Sequence, residues 1–352
     1  MSDLQNDRPN FRAMQIHLNP KNIFWCCVII GFVYLAFLIW GKDDKFPELA
    51  VEIRDVISYA VLAVEMGGHA VAKIYQENSL NIKSKGNTDV GKEELLTRAD
   101  LVSNHLILGL LKRFPAMNVV TEEKNEHMSE SEVEKYRDDN YDLWLNVRGA
   151  LEKIPSQKYD FSRMSIWIDP LDATQEFTEG LLEYVTVMAC VTLDGKPVFG
   201  AIYRPFYNET IFGLVNWGLM NSQGEKIALK SPDKVPKTII VSRSHTGQVK
   251  DLADKVFNGT YTVEKAGGAG YKTLRLINGT AEFYIHTTAI KKWDLCAGDA
   301  LIRAAGGELI DLDGQPLDYS PDSEVVNKKG LLMAIRNPYS VLSRIRNHMP
   351  PK

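Results

Sequence analysis

The sequence predicts an α+β protein whose helices bracket layered sheets, preceded by one apolar segment. Three observations carry that expectation. Apolar residues recur at helical spacing over 49–75, 101–113 and 295–305. Short apolar runs at 164–168, 184–193 and 238–242 read as buried strands. Ahead of them all, Ile23 to Trp40 is uninterrupted by any charge.

That first segment is the right length for an anchor. At about 1.5 Å per residue it just crosses a hydrocarbon core of about 30 Å. Trp25, Tyr34 and Trp40 suit interfacial positions. The residues after it, Leu38-Ile39-Trp40-Gly41-Lys42, lack a small-x-small cleavage pattern, so a retained signal anchor is expected. Arg8, Arg12 and Lys21 precede the span. Lys42 and Lys45 follow it, offset by Asp43 and Asp44. The small bias favours a cytosolic N-terminus. The expected organisation is a cytosolic tail (1–22), a transmembrane signal anchor (23–40), a luminal stem (41–48) and a luminal catalytic domain (49–352). Sequons at Asn208, Asn258 and Asn278 agree with a lumen and are the glycosylation candidates. The short span suits a thin early-secretory membrane.

Composition narrows the class further. The chain has 352 residues, 45% hydrophobic and 24% charged, with net charge −4. That is an ordinary globular balance. It lacks the basic footprint of a nucleic-acid partner. Cys26 and Cys27 lie in the span. Cys190 reads as a core residue of an apolar strand, and a core this large needs no disulfide staple.

The elements follow in order. The first helix presents Ile53, Val56, Ile57, Ala60 and Val64 on one face. A strand and loop begin at Ile82. The second helix presents Leu101, Ile107, Leu108 and Leu111. Residues 124–163 are highly charged and read as a surface insertion with some helix, held by Trp144 or Tyr159. After the strand at 184–193, Asp194-Gly195 supplies hairpin chemistry, and 198–203 and 210–215 continue the meander. Gly306-Gly307 stops the helix at 295–305, and 308–312 returns as a strand.

Three acidic segments carry the chemistry. Trp167-Ile168-Asp169-Pro170-Leu171-Asp172-Ala173-Thr174 places two carboxylates at a proline turn. Pro170 fixes φ and ends the strand. An Asp-x-x-Asp alone is equally an Asx turn or a helix cap. Upstream, Asn118–Glu123 is another apolar run ending in paired acids; downstream, Lys291-Lys292-Trp293-Asp294 opens a helix. Buried acids are not tolerated unpaired. Acids with the Leu171 carbonyl form an all-oxygen donor set, which suits Mg²⁺ rather than zinc.

In this order, Glu-Glu, Asp-Pro-Leu-Asp-Ala-Thr and Trp-Asp-x-x-Ala-Gly resemble the lithium-sensitive, Mg²⁺-dependent phosphatases of the inositol monophosphatase superfamily. The resemblance covers roughly 50–345 and implies a layered α-β-α-β-α sandwich. Val241-Ser242-Arg243-Ser244-His245 and Ala266-Gly267-Gly268-Ala269-Gly270-Tyr271-Lys272 resemble the branch that removes the 3′-phosphate from adenosine 3′,5′-bisphosphate (PAP). With the anchor, the likeness is to Golgi-resident members of that branch. It implies a single-pass type II Golgi membrane protein that clears PAP left by sulfotransferases, yielding AMP and phosphate. An inositol polyphosphate 1-phosphatase is the alternative, because the metal site would be the same.

The resemblance also implies site residues. Glu122, Asp169 and the Leu171 carbonyl would hold the Mg²⁺ that activates water. Asp169, Asp172 and Asp294 would hold a second, and Glu123 would support a third. Asp100, which also reads as a helix cap, would pair with Thr174, and Thr174 with Glu122 would orient the water. Backbone N–H groups of Ala173 and Thr174 would meet the phosphate, with alanine at 173 implying negative φ there. Lys272 would meet a second phosphate, Gly268 and Gly270 would let backbone approach the nucleotide, and Ser242, His245, Lys291 and Lys292 would flank it, though either lysine could equally be solvated. Li⁺ inhibition and a homodimer are further family expectations.

Overall fold

The computed structural model describes residues 20–40, 50–87, 91, 93–124, 128–138, 140–152, 154, 157–243 and 246–348, apart from the side chains of 22–23, 37–40 and 246–248. The chain divides into two units, 1–48 and 49–352.

The described part of the first unit is helix α1 (Pro20–Trp40), which covers the apolar segment. Phe24, Trp25, Ile29, Ile30, Phe32 and Val33 on it are exposed. Among the described residues no helix is long and apolar enough to cross a membrane.

The second unit is built in layers. Two long helices, α2 (Ile53–Gln76) and α3 (Arg98–Leu111), form the outermost. They cover a six-stranded sheet. Its strands are β1 (Asn118–Thr121), β2 (Met164–Asp172), β3 (Thr186–Leu193), β4 (Lys196–Arg204), β5 (Glu209–Leu214) and β6 (Gly218–Asn221), in the order β6-β5-β4-β3-β2-β1. Only β1 and β2 pair in parallel; the rest is an antiparallel meander. The short helix α4 (Thr174–Thr178) follows β2. The second sheet has five strands: β7 (Thr238–Ser242), β8 (Thr262–Ala266), β9 (Phe283–His286), β10 (Glu308–Ile310) and β11 (Leu331–Ala334), ordered β8-β7-β9-β11-β10. Helices α6 (Ala269–Ile277) and α7 (Trp293–Ala304) share one core with the facing sides of both sheets. Helices α5 (Thr246–Phe257) and α8 (Pro338–Arg346) share another with the far side of the second. The layering is therefore α-β-α-β-α.

Strand alternation explains why one strand serves two layers. Side chains along a strand point to opposite faces in turn. On β2, Ile166 and Ile168 enter the core under α2, and Trp167 enters the core that contains α7. Burying a large apolar side chain contributes about 1.5–3 kcal/mol. Trp167 is fully buried, and its indole N–H donates to the Tyr319 carbonyl at 2.9 Å.

Several expectations sharpen. The second helix starts earlier than its apolar pattern: Thr97 caps it, and Asp100 lies inside its first turn and reaches back. The charged insertion carries helices Glu130–Glu134 and Tyr141–Leu151. Val133, Tyr136, Leu143, Val147 and Leu151 are buried in the first core, with Trp144 and Tyr159 half-buried beside them. Cys190 is fully buried in the core, as expected, but the expectation that this domain has no disulfide is corrected: Cys190 and Cys296 are bonded, Cα–Cα 5.6 Å. A large core made a staple unnecessary as an argument about stability, but a bond between buried neighbours does not depend on that need.

Candidate active site

A cleft of about 410 Å³ opens where the C-terminal ends of β1 and β2 meet the N-terminal ends of α6 and α7. Glu122, Asp169, Asp172 and Asp294 all line it. Sheet pairing accounts for the first two. Thr121 is registered with Ile168, and the Glu122 N–H donates to the Ile168 carbonyl at 3.3 Å, so Glu122 follows Asp169 across the parallel pair.

The strand does not end at Pro170 as expected: β2 runs on to Asp172 through an irregularity between Asp169 and Asp172, and that irregular stretch is pinned from both sides. The Leu171 N–H donates to Asp169 Oδ1 at 3.1 Å. Ser103 of α3 donates to the Pro170 carbonyl at 2.7 Å. Thr174 Oγ1 lies 3.1 Å from Asp100 Oδ1 and 3.2 Å from the Leu171 carbonyl oxygen. The other Asp100 oxygen accepts from the Thr97 N–H at 2.7 Å and the Thr97 hydroxyl at 2.6 Å, so Asp100 is a helix-capping residue and the partner of Thr174 at once. Asp172 accepts from Ala269 N–H at 3.1 Å, Gly270 N–H at 2.8 Å and Thr186 Oγ1 at 2.9 Å.

Crowded acids resist ionisation. Burial, then the neighbouring charges of Glu122, Asp172 and Asp294, holds Asp169 well above the usual carboxylate range. Asp294 is raised well above it too, by burial and by Glu122 and Asp172. Burial also raises Asp172, against the opposing pull of Lys272 and three hydrogen-bond donors. Asp100 is pushed to about 6 by burial. Glu123 goes to about 7 by burial and the charge of Glu122. Such a wall calls for cations. Its oxygen donors fit Mg²⁺: carboxylates from three segments and the Leu171 carbonyl. Among the described residues no three acids already stand at coordinating spacing. Lys85, on the strand Lys83–Asn87 that pairs antiparallel with Glu93–Leu96, instead bonds Glu123 and lies 2.9 Å from Glu122 Oε1.

The opposite wall comes from the second sheet and α6. Gly268, which precedes α6, has φ 58°. A Cβ there would stand 2.6 Å from the Tyr184 carbonyl and 2.9 Å from Asp172 Oδ2, so only glycine fits. Lys272 is 3% exposed, its ammonium bonded to the Gly268 carbonyl and 5.2 Å from the Tyr284 ring centroid. Burial pushes it down to about 8, against the pull of Asp172, Glu176 and Asp294. Tyr284 is 0% exposed and lines the cleft. Among the described residues its hydroxyl has no hydrogen-bond partner within bonding criteria, and Ser242 is a near neighbour. Ser242 Oγ instead pairs with His286 Nδ1 at 3.0 Å. Arg243 bridges Glu176 at 2.9 Å and Glu179 at 2.8 Å at the rim.

Three expectations change here. Ala173 adopts φ 70°, not negative φ: the turn between β2 and α4 is left-handed and alanine bears the strain. Gly270 does not line the cleft. A Cβ on it would collide with Thr186, and its N–H serves Asp172, so glycine there is a packing requirement. Lys292 turns away to Ser323 Oγ at 2.8 Å, and of the two lysines only Lys291 lines the cleft. His245 lies outside the described residues. Lys85, Tyr284 and His286 were missed. Tyr284 and His286 sit in a segment without acidic or glycine-rich patterning, and for all three only the tertiary fold brings them to the cleft.

Comparisons with known proteins agree with this architecture. The chain matches the inositol monophosphatase family over residues 52–341. It is 38% identical over 350 residues to "Inositol monophosphatase 3" of Xenopus tropicalis, covering 94% of each chain. It is 39% identical over 330 residues to the Golgi-resident adenosine 3′,5′-bisphosphate 3′-phosphatase of Rattus norvegicus, covering 89% of each. Among solved structures, the extragenic suppressor protein suhB of Bartonella henselae superposes with TM-score 0.63 at 18% identity, over 84% of this chain and all of that one. CysQ of Bacteroides thetaiotaomicron gives TM-score 0.58 at 21% identity, over 81% and 99%. At those identities the structures share the fold.

Proposed function

The chain belongs to the inositol monophosphatase family, and from that premise we propose that it is a Mg²⁺-dependent phosphomonoesterase that removes the 3′-phosphate of PAP. Glu122, Asp169, Asp172, Asp294 and the Leu171 carbonyl would hold two metal ions, with Glu123 supporting a third. Bound Mg²⁺ neutralises phosphoryl oxygens and acidifies water. The chain's own groups do the rest. Thr174, held by Asp100 at 3.1 Å, orients the attacking water together with Glu122. The buried Asp100 takes up the proton passed through Thr174, a role its pKa of about 6 supports. Asp172 fixes the start of α6, and with it the wall that receives the substrate.

One observation carries the choice of substrate. Lys272 places a buried ammonium in the cleft, 5.2 Å from the Tyr284 ring centroid. A compact cation there suits a second phosphate. Relatives named as Golgi PAP phosphatases, 38–39% identical, point the same way. A second reading has its own support: equally similar relatives are named inositol monophosphatase 3. Phosphate release from PAP, inositol 1,4-bisphosphate and inositol 1-phosphate, with and without Mg²⁺, separates them. PAP should be turned over fastest, and millimolar-range Li⁺ should inhibit. Preference for either inositol substrate would overturn the assignment.

For location, we infer a single-pass type II anchor at 23–40 with the domain from residue 49 in the Golgi lumen; the charge-free run Ile23–Trp40 and the relatives named as Golgi-resident support it. Asn208, Asn258 and Asn278 are all exposed, so each is open to glycosylation. A homodimer is the assembly expected from the family. Protease protection of the domain in sealed Golgi vesicles tests the orientation; digestion without detergent would reverse it.

A further inference from the structure

The one disulfide among the described residues ties the acidic wall together. Cys190 lies on β3, in a row that runs across four strands: Trp167 of β2, Cys190, Gly200 of β4 and Gly213 of β5 are successive register partners. Helix α7 lies along this row. A Cβ on Gly200 would collide with the Ala297 carbonyl, and one on Gly213 would stand 3.1 Å from Ala304 Cβ and Leu301 Cδ2. The row is hollowed by its glycines, and the helix backbone sits in the hollow. The covalent bond joins the row to α7 at Cys296, in a fully buried position. Asp294 stands two residues before Cys296 on the same helix, and Asp169 two residues after Trp167 on β2. The bond therefore ties α7, which carries Asp294, to β3, the strand paired with the one that carries Asp169.

We propose that the Cys190–Cys296 disulfide is a positioning device for Asp294: it fixes the first turn of α7 against the sheet that carries Asp169 and Asp172. This rests on the reading of those acids as metal ligands. Packing in the glycine hollow fixes how far α7 lies from the sheet. It leaves sliding along the helix axis to softer contacts, and the bond removes that freedom. Two half-cystines that form a bond in the folded domain also mark it for an oxidising compartment, which the luminal assignment supplies.

The test uses the full-length protein. Alkylation under denaturing conditions, then peptide mass spectrometry with and without reductant, should find Cys190 and Cys296 linked and Cys26 and Cys27 alkylated; four alkylated thiols would sink the proposal at once. Mg²⁺ binding is then measured by calorimetry on the oxidised protein, on Cys190→Ala/Cys296→Ala, and on wild-type protein made in a reducing cytosol. Circular dichroism confirms which samples are folded, and the reduced wild type serves if the double variant is not. The expected result is a loss of about tenfold in Mg²⁺ affinity without the bond, the low end of what removing ligand-orienting groups costs. Unchanged affinity in folded, bond-free protein would make the bond purely structural and overturn the proposal. No Mg²⁺ binding to the oxidised protein would instead defeat the metal-site reading beneath it.

Discussion

The two walls of the cleft solve opposite electrostatic problems. On the acidic wall Asp169, Asp172 and Asp294 crowd together with their ionised forms disfavoured by burial and by one another. On the substrate wall Lys272 is buried with its charge disfavoured by the same desolvation. Each wall lacks what a ligand brings: cations for one, an anion for the other. A phosphate ester between bound cations and a lysine meets both needs. The difference teaches that burial disfavours the charge each wall must carry, so each wall favours a ligand of the opposite sign.

The largest effect should come from breaking the acidic wall. Asp169→Ala should lower phosphate release at least about a thousandfold, since metal chemistry fails with the donor. Its stability should move the other way. In chelator it should melt no lower than wild type, because removing one buried like charge relieves the rest. Wild-type protein should gain stability as Mg²⁺ is added, and the variant should gain little. A variant that keeps both activity and the Mg²⁺-dependent shift would break the comparison.

Lys272 sharpens it from the other wall. Lys272→Met should raise KM for PAP about 10–100-fold, the worth of a charge-assisted hydrogen bond, with much less effect on a monophosphate. Its pKa adds a pH signature. A lysine pushed down to about 8 is charged below that pH and loses its charge as pH rises through it. kcat/KM for PAP should therefore fall above pH 8 in the wild type, and this limb should vanish in the variant. Equal loss on mono- and bisphosphates would show that Lys272 supports the fold rather than the second phosphate.

The two walls also differ in how far the sequence exposes them. Asp169, Asp172, Glu122 and Asp294 announce themselves because each ends an apolar run or opens a helix, so local pattern and chemistry coincide. The layers follow for the same reason: long helices such as α2 carry a regular apolar face. The substrate wall has no such alignment. Tyr284 and His286 lie on β9, a short buried strand at 283–286 whose residues look like any other core. Gly267 to Gly270 read as a loop, yet Ala269 and Gly270 already belong to α6. Lys291 and Lys292 are adjacent in sequence, and only the helix start at Trp293 decides which one faces the cleft. The disulfide is invisible for the same reason, since a separation of 106 residues says nothing of proximity.

The smallest expected effect lies where the walls meet. Ala173 joins β2 to α4 at φ 70°, a conformation that costs an L-residue roughly 1–2 kcal/mol. Glycine would remove that strain while losing some backbone entropy on folding. Ala173→Gly should then stabilise the domain by about 1 kcal/mol at most, a shift of roughly 2 °C in Tm. Activity should change little, because the turn already holds Asp172 and Thr174 through Asp100, Ala269 and Gly270. A calorimetric melt of both proteins reads the first part and kcat the second. If glycine destabilises the domain or costs activity more than a few-fold, the alanine Cβ packs productively in the turn, and the strain ascribed to it is offset by contacts that glycine cannot make.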